Sequence, residues 1–368
     1  MKISIITFHN TSNFGATLQC TALFKYLKNS GHDVEIVNYL PDYIRNKKSA
    51  TKELKNAYKA KNKVKAITKG LAYLAHYGEL KHRDDCFESF LSKNISLTQV
   101  YSTTEQIVRN PPQADLYICG SDQIWNPALT GGKPDEAFFL CYAKDNKVSY
   151  GASMGEFDVE GNAEVLKKLT KDFKMVSLRE KYMADRLTQV IGMPVKTVLD
   201  CTLLLDDTDY AQYEEPVDEI SSPYLLYYNM QKSSLADDMA KRIAEALSLD
   251  VVDISPNPFL RIKGSKKLID IGPGEFLTLF KNAQYVVTNS FHGTAFSILY
   301  KKQFVCTLHS TRGGRVLDLL TSLGLSNRII KNTNEVFSEI IDYESVYSTL
   351  RALRTESYTY LQKALEDI

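Results

Sequence analysis

Short β-like runs, each followed by a loop rich in Gly, Ser, Asp or Asn and then by a helical pattern, recur through most of the chain. This alternation constrains the fold more than any other feature. A strand that leads through a helix to another strand rejoins its sheet as a crossover, so the pattern predicts parallel sheets covered by helices. The first unit has a strand at 3–8, a small-residue loop at 10–15 and a helix at 16–29. Gly31 closes that helix and a second strand follows at 34–39. This is a β-loop-α-β unit of the Rossmann kind.

Strand-like runs return at 116–119, 147–152, 175–178 and 195–199, after a Lys-rich helical stretch at 45–85. The segment 205–223, with DDTDY, EEPVDE and SSP, breaks the composition and reads as a linker. A second α/β unit follows, with strands at 224–228, 251–254, 285–288 and 304–308. Its helices are expected at 234–247, 274–282 and 292–300, with another after STRGGR. The fold class expected is α/β, with Rossmann-like domains at 1–205 and 222–343 whose parallel sheets face a central cleft. This plan resembles the GT-B architecture of many glycosyltransferases. That resemblance implies that the final amphipathic helix, 344–368, packs back on the first half.

Composition excludes several function classes. The 368 residues, 44% apolar and 24% charged, are those of a soluble globular protein, and a net charge of +1 gives no whole-chain bias toward nucleic acid. The opening MKISIITF lacks the apolar core and cleavage site of a signal peptide. No run of about 18 apolar residues could span a membrane. The six cysteines are scattered without a CxxC, as in a reduced cytoplasmic protein. The six histidines form no HxxxH or HExxH, so no metal site is expected.

In parallel α/β sheets ligands sit beyond the carboxyl ends of the strands, which directs attention to the loops there. In TNSFHGTAFS (288–297) a strand runs into Ser290, a good N-cap, and then a helix with a small first turn. Free N–H groups at such a terminus bind anions, and His292 lies in that turn. Most histidines are structural; the place of His292 after a strand, between Ser290 and Gly293, favours a functional role. CGSDQIWNP (119–127) holds the only tryptophan, Trp125, beside Asp122 and Gln123. Spacing alone leaves two readings, an exposed sugar platform or a capped helix start with Trp125 in the core. FHNTSNFGATLQ (8–19) and YGASMGE (150–156) are the other two such loops. Arg179 in SLRE, and Arg312 and Arg315 in STRGGR, could clamp an anion or form surface ion pairs.

Taken together in order, NFGATLQ, GSDQIWN, SLRE, VLDCTLLL, GPGEFL and TNSFHGTAFS resemble the polysaccharide pyruvyl transferase family, over roughly residues 1–40 and 115–320. Cys201 departs from the proline the family commonly has there. The resemblance implies a GT-B-like enzyme that moves an enolpyruvyl unit from phosphoenolpyruvate to a sugar hydroxyl pair of a surface polysaccharide or its lipid-linked precursor, giving a ketal. Phosphoenolpyruvate is then a co-substrate and no cofactor is needed. By the same resemblance His292 is the acid/base or phosphate-binding residue and Arg179 the clamp. Ser290, Phe291, Gly293, Thr294, Arg312 and Arg315 stand on the donor side. Asn13, Gly15, Asp122, Gln123, Trp125 and Ser153 stand on the acceptor side.

Two rivals remain. A nucleotide-sugar glycosyltransferase shares the fold, but the second half shows no clear E-x7-E pattern. A non-catalytic sugar-binding protein would be expected to lose His292 or Arg179, and both are present. Residues 45–69 hold ten basic side chains against one acid. They read as a solvated helix or as a face that meets an anionic membrane or a lipid-linked diphosphate. No nucleic-acid motif accompanies them. The location expected is cytoplasmic, with peripheral contact at the inner membrane face.

Overall fold

Each half of the chain builds one parallel sheet. The computed structural model describes residues 1–45, 74–218, 220–258, 261–310, 313–333 and 339–366. The first sheet contains β1 (Lys2–Ile6), β2 (Asp33–Ile36), β3 (Leu116–Cys119), β4 (Lys147–Ser149), β5 (Phe173–Leu178) and β6 (Val195–Thr197), in the order β2-β1-β3-β4-β5-β6. The second contains β7 (Tyr224–Tyr228), β8 (Asp250–Asp253), β9 (Lys266–Lys267), β10 (Tyr285–Thr288) and β11 (Gln303–Cys306), in the order β11-β10-β7-β8-β9. Every pairing between these strands is parallel.

The topology predicts where a ligand goes. Strand order reverses beside β1 and β3 in the first sheet, and beside β7 and β10 in the second. A crevice opens at such switch points because the flanking connections leave toward opposite faces. The loops after these four strands are therefore the ones that can meet across the cleft. They include the segments around Asn13, Asp122, Asn229 and Ser290.

Two helices tie the halves together. The helix Phe14–Asn29 is capped by Asn13, whose Oδ1 accepts from Ala16 N at 3.1 Å, and it is buried along most of its length. Its first residue, Phe14, stacks on Phe276 of the second half at 4.5 Å between centroids and meets Tyr228 edge-on at 6.1 Å. Such ring pairs add about 0.5–1.5 kcal/mol each beyond burial of their area. The helix Tyr343–Glu366 begins on the second half, where Tyr347 Oη donates to Leu299 O at 2.8 Å. It ends on the first, where Arg354 donates to the carbonyls of Leu203 and Leu205 and Tyr360 Oη donates to Ser149 O.

Differences from the sequence reading are local. β9 has only two residues, both lysines, so it carries no periodic signal. It forms because Lys267 is drawn onto buried Asp253, with Nζ at 3.1 Å from Oδ1. The basic stretch 45–69 lies, after Arg45, outside the described residues. Among the described residues no helix is long and apolar enough to cross a membrane.

Candidate functional site

The turn after β10 is built to aim His292 at the first half. Thr288 Oγ1 accepts from Ser290 N and donates to Tyr228 O, which fixes the end of the strand. Ser290 then caps the helix Phe291–Leu299, its Oγ accepting from Gly293 N at 3.3 Å. A Cβ at Gly293 would lie 2.2 Å from Thr288 Oγ1, so only glycine lets the helix press this closely on the strand. The first-turn N–H groups of Phe291 and His292 are not used by the cap. Across the cleft, a Cβ at Gly15 would lie 2.0 Å from His292 Nδ1. Gly15 thus gives the imidazole its clearance.

Behind His292 stands a buried charged lattice from the first half. Arg179 follows β5, and its Nε donates to Ser121 Oγ at 2.7 Å and to Gly151 O at 3.0 Å. Its Nη1 lies 2.5 Å from Asp200 Oδ2 and its Nη2 3.9 Å from Asp122 Oδ1. Asp200 is held in turn by Thr202, whose N and Oγ1 both donate to Oδ1. Asp200 Oδ2 is also 3.8 Å from His292 Nε2. One carboxylate therefore bridges the guanidinium of one half and the imidazole of the other. Two guanidinium groups lie near the Phe291 ring, Arg179 at 5.8 Å and Arg315 at 5.5 Å from its centroid.

The electrostatics follow from burial. Removal from water pushes the His292 pKa down to about 4; Asp200 and Asp122 oppose the shift, while Arg179 and Arg315 add to it. His292 is therefore neutral at physiological pH and can accept a proton. Burial opposes ionisation of Asp200, but Arg179 and His292 outweigh it and hold its carboxyl below the usual range. Burial raises the pKa of Glu180, against the pull of Arg315, the Ser153 hydrogen bond and Arg179.

A polar cavity of about 120 Å³ opens where the halves meet, walled by Asn13, Asp122 and Gln123 from the first half and Ser290, Phe291, His292 and Arg315 from the second. These are sequence candidates from both sides brought to one place. Others fall elsewhere. Trp125 is fully buried, stacks on Phe139 at 4.6 Å and donates through Nε1 to Phe138 O at 2.9 Å. The platform reading of Trp125 is corrected: its ring and its one donor are consumed by the core. Ser153 is also fully buried and donates to Glu180 Oε1 at 2.5 Å, so it supports the site from behind. Thr294 turns its hydroxyl back to Ser290 O at 3.1 Å. Gly15 and Gly293 act through clearance rather than by lining the cavity. Arg312 lies outside the described residues.

Asp200 and Glu180 were not singled out from the sequence. Both stand within motifs that carried the resemblance, VLDCTLLL and SLRE. Asp200 had one local signal, an acidic residue directly after a strand with a threonine two positions on, which is an N-cap pattern. Cys201 is buried at the start of the 3-10 turn Cys201–Leu204, so the departure there stays within the turn Asp200 caps.

The family model for polysaccharide pyruvyl transferase matches residues 13–311. The chain belongs to the polysaccharide pyruvyl transferase family. No curated protein sequence matches it. Among solved structures it is similar to HepE of Anabaena, determined in complex with UDP and glucose, at 12% identity and a TM-score of 0.54, with 100% of each chain covered. It is also similar to a Listeria monocytogenes protein described as a UDP-N-acetylglucosamine 2-epimerase, at 11% identity and a TM-score of 0.51, covering 97% of this chain and 89% of that one. At these identities the likeness concerns the fold, which is GT-B-like.

Proposed function

We propose that this pyruvyl transferase takes its pyruvyl unit from phosphoenolpyruvate and places it as a ketal on two hydroxyls of a polysaccharide sugar. The observation that carries this reading is the convergence of His292, Arg179, Asp200 and Arg315 from both halves on one cleft. Phosphoenolpyruvate presents a phosphate and a carboxylate. The helix start at Ser290 and the guanidinium of Arg315 suit the phosphate. Arg179 suits the carboxylate, provided it exchanges part of its hold on Asp200 for the ligand.

The chemistry balances with these groups. A first sugar hydroxyl attacks C2 of the enol while C3 gains a proton, giving a tetrahedral adduct that still bears phosphate. A second hydroxyl then displaces inorganic phosphate and closes the ketal. Neutral His292 accepts the proton of an attacking hydroxyl, and Asp200 steadies the imidazolium that results. The proton lost by the first hydroxyl balances the one gained at C3, and that of the second leaves with phosphate.

The test is direct. The purified protein is incubated with phosphoenolpyruvate and a panel of sugar acceptors, and released phosphate is measured with the mass of the glycan. Acceptor-dependent phosphate release with a pyruvate ketal on the product is expected. Transfer from UDP-glucose with no response to phosphoenolpyruvate would overturn the reading.

A further inference from the structure

A second polar pocket, of about 80 Å³, lies beyond the carboxyl ends of β7 and β8, where the helix Ser234–Leu247 begins. Tyr227, Asn229, Lys232, Asp237, Ser255 and Arg261 line it, with Gln231 and Ile262 completing the wall. It backs onto the donor cavity without joining it, and among the described residues none lines both. Asn229 and Gln231 line this pocket, while Met230 between them lines the other. Asn289 pins the loop in that arrangement: its Oδ1 accepts from Met230 N at 2.7 Å and its Nδ2 donates to Gln231 O at 2.8 Å.

The groups left over in this pocket define what it can hold. Asn229 is only 3% exposed, yet neither Oδ1 nor Nδ2 of its amide completes a hydrogen bond. Buried polar atoms are nearly always paired, so an open amide of this kind points to a ligand. The neighbouring Tyr227 hydroxyl gives its proton to Asp237 Oδ1. An amide with both atoms open is satisfied by a group that donates and accepts, which a hydroxyl does. The two cations of the wall, Lys232 and Arg261, exceed its one acid, Asp237. Asp253, behind the wall, is matched by Lys267 at 3.1 Å. An anion is therefore favoured beside the hydroxyl. Arg261 already gives Nε and Nη2 to Ser265 O, at 3.2 and 2.6 Å. It cannot also present its planar fork to a carboxylate, whereas the single contacts that remain suit a phosphate. At about 10–15 Å³ for each water-sized group, the pocket has room for about five to eight of them, well below a nucleotide or a glycan.

We propose that this pocket binds a small phosphate ester carrying a hydroxyl beside its phosphate. The hydroxyl meets the Asn229 amide at the inner end, and the phosphate meets Arg261 and Lys232. The site is separate from the donor cavity, and its chemistry does not depend on the phosphoenolpyruvate reading.

Glycerol 3-phosphate serves as the probe. It is titrated calorimetrically into the full chain, with and without saturating phosphoenolpyruvate, and glycerol, inorganic phosphate and glycerate are the comparisons. Saturable binding is expected, at least about tenfold tighter than any of the three, and it should persist when phosphoenolpyruvate is present. Asn229→Ala and Arg261→Gln should each weaken it about tenfold or more and leave phosphoenolpyruvate affinity unchanged. Asn229→Ala should also melt no earlier than the parent, because its amide has no internal bond to lose. Arg261→Gln, at an exposed position, carries the test if the buried variant does not fold. No saturable binding, equal binding of inorganic phosphate or glycerate, displacement by phosphoenolpyruvate, or parental affinity in both variants would overturn the proposal. If glycerol 3-phosphate binds as expected and phosphoenolpyruvate does not bind at all, the pocket assignment stands and the donor assignment falls.

Discussion

The loop after β10 and the loop after β3 look alike in the sequence: each follows an apolar strand, and each offers polar side chains and an aromatic residue. In the structure they behave differently. The loop after β10 passes directly into a capped helix, so the direction of every side chain in its first turn is set, and His292 faces the cleft. The loop after β3 enters no regular element. Asp122 and Gln123 reach the polar cavity, while Trp125, two residues on, turns into a core made by Phe139 and Phe173. A helix start transmits direction from sequence to space; an irregular loop takes its direction from whatever tertiary burial is available. For a tryptophan that burial outweighs a surface role, because its large ring gains several kcal/mol on leaving water.

The largest effect should come from the ordered loop. His292→Ala is expected to lower turnover by about 10²- to 10⁴-fold with the fold intact. Phosphate release from phosphoenolpyruvate, measured beside circular dichroism, checks this. Near-normal turnover in a folded variant would place His292 among structural residues and erase the contrast between the loops.

The other loop should answer with stability. Trp125→Ala removes a fully buried ring and is expected to cost about 3–5 kcal/mol in denaturant unfolding. Gln123→Ala, on the cavity wall, should leave stability within about 0.5 kcal/mol and raise a substrate KM. If Trp125→Ala kept its stability and lost acceptor affinity, the core assignment would be wrong.

Much of the fold was legible because it rests on local signals. The bounds of β3, β7, β10 and the helix Ser234–Leu247 agree with the sequence reading, since apolar runs and caps mark them. The placements of His292 and Arg179 were legible for the same reason, one in the capped turn that follows a strand and the other directly after a strand. Asp200 was not. Its carboxylate matters because Arg179 and His292, far apart in the chain, meet on it. Gly15 was placed on the acceptor side by resemblance; that the His292 imidazole presses against it, which explains the missing side chain, had no local signal.

Arg179 gives a smaller and more discriminating effect. Arg179→Lys keeps the charge but loses the planar fork that now spans Asp200, Ser121 and Gly151. Phosphoenolpyruvate affinity is expected to fall about tenfold by calorimetry. Unchanged donor affinity with weaker acceptor binding would move Arg179 from the phosphoenolpyruvate side of the cleft to the glycan side.

The smallest effect is a pH dependence of stability carried by His292. Its folded pKa is depressed to about 4, first by burial, with Arg179 and Arg315 adding and Asp200 and Asp122 opposing. The unfolded imidazole titrates near 6.5. Between those values the unfolded chain binds more protons than the folded one, so this contribution to stability is complete above 6.5 and is lost as pH falls toward 4. From pH 6.5 to 5.5 the loss amounts to about 1 kcal/mol. His292→Gln, which cannot titrate, should remove that increment from the slope of unfolding free energy against pH. The same measurement on Gln123→Ala should leave the slope as in the parent, because the loop after β3 places no titrating imidazole in the cleft. An identical slope in His292→Gln and the parent would mean that the His292 ring reaches water in solution, and the loop after β10 would be no more ordered than its counterpart.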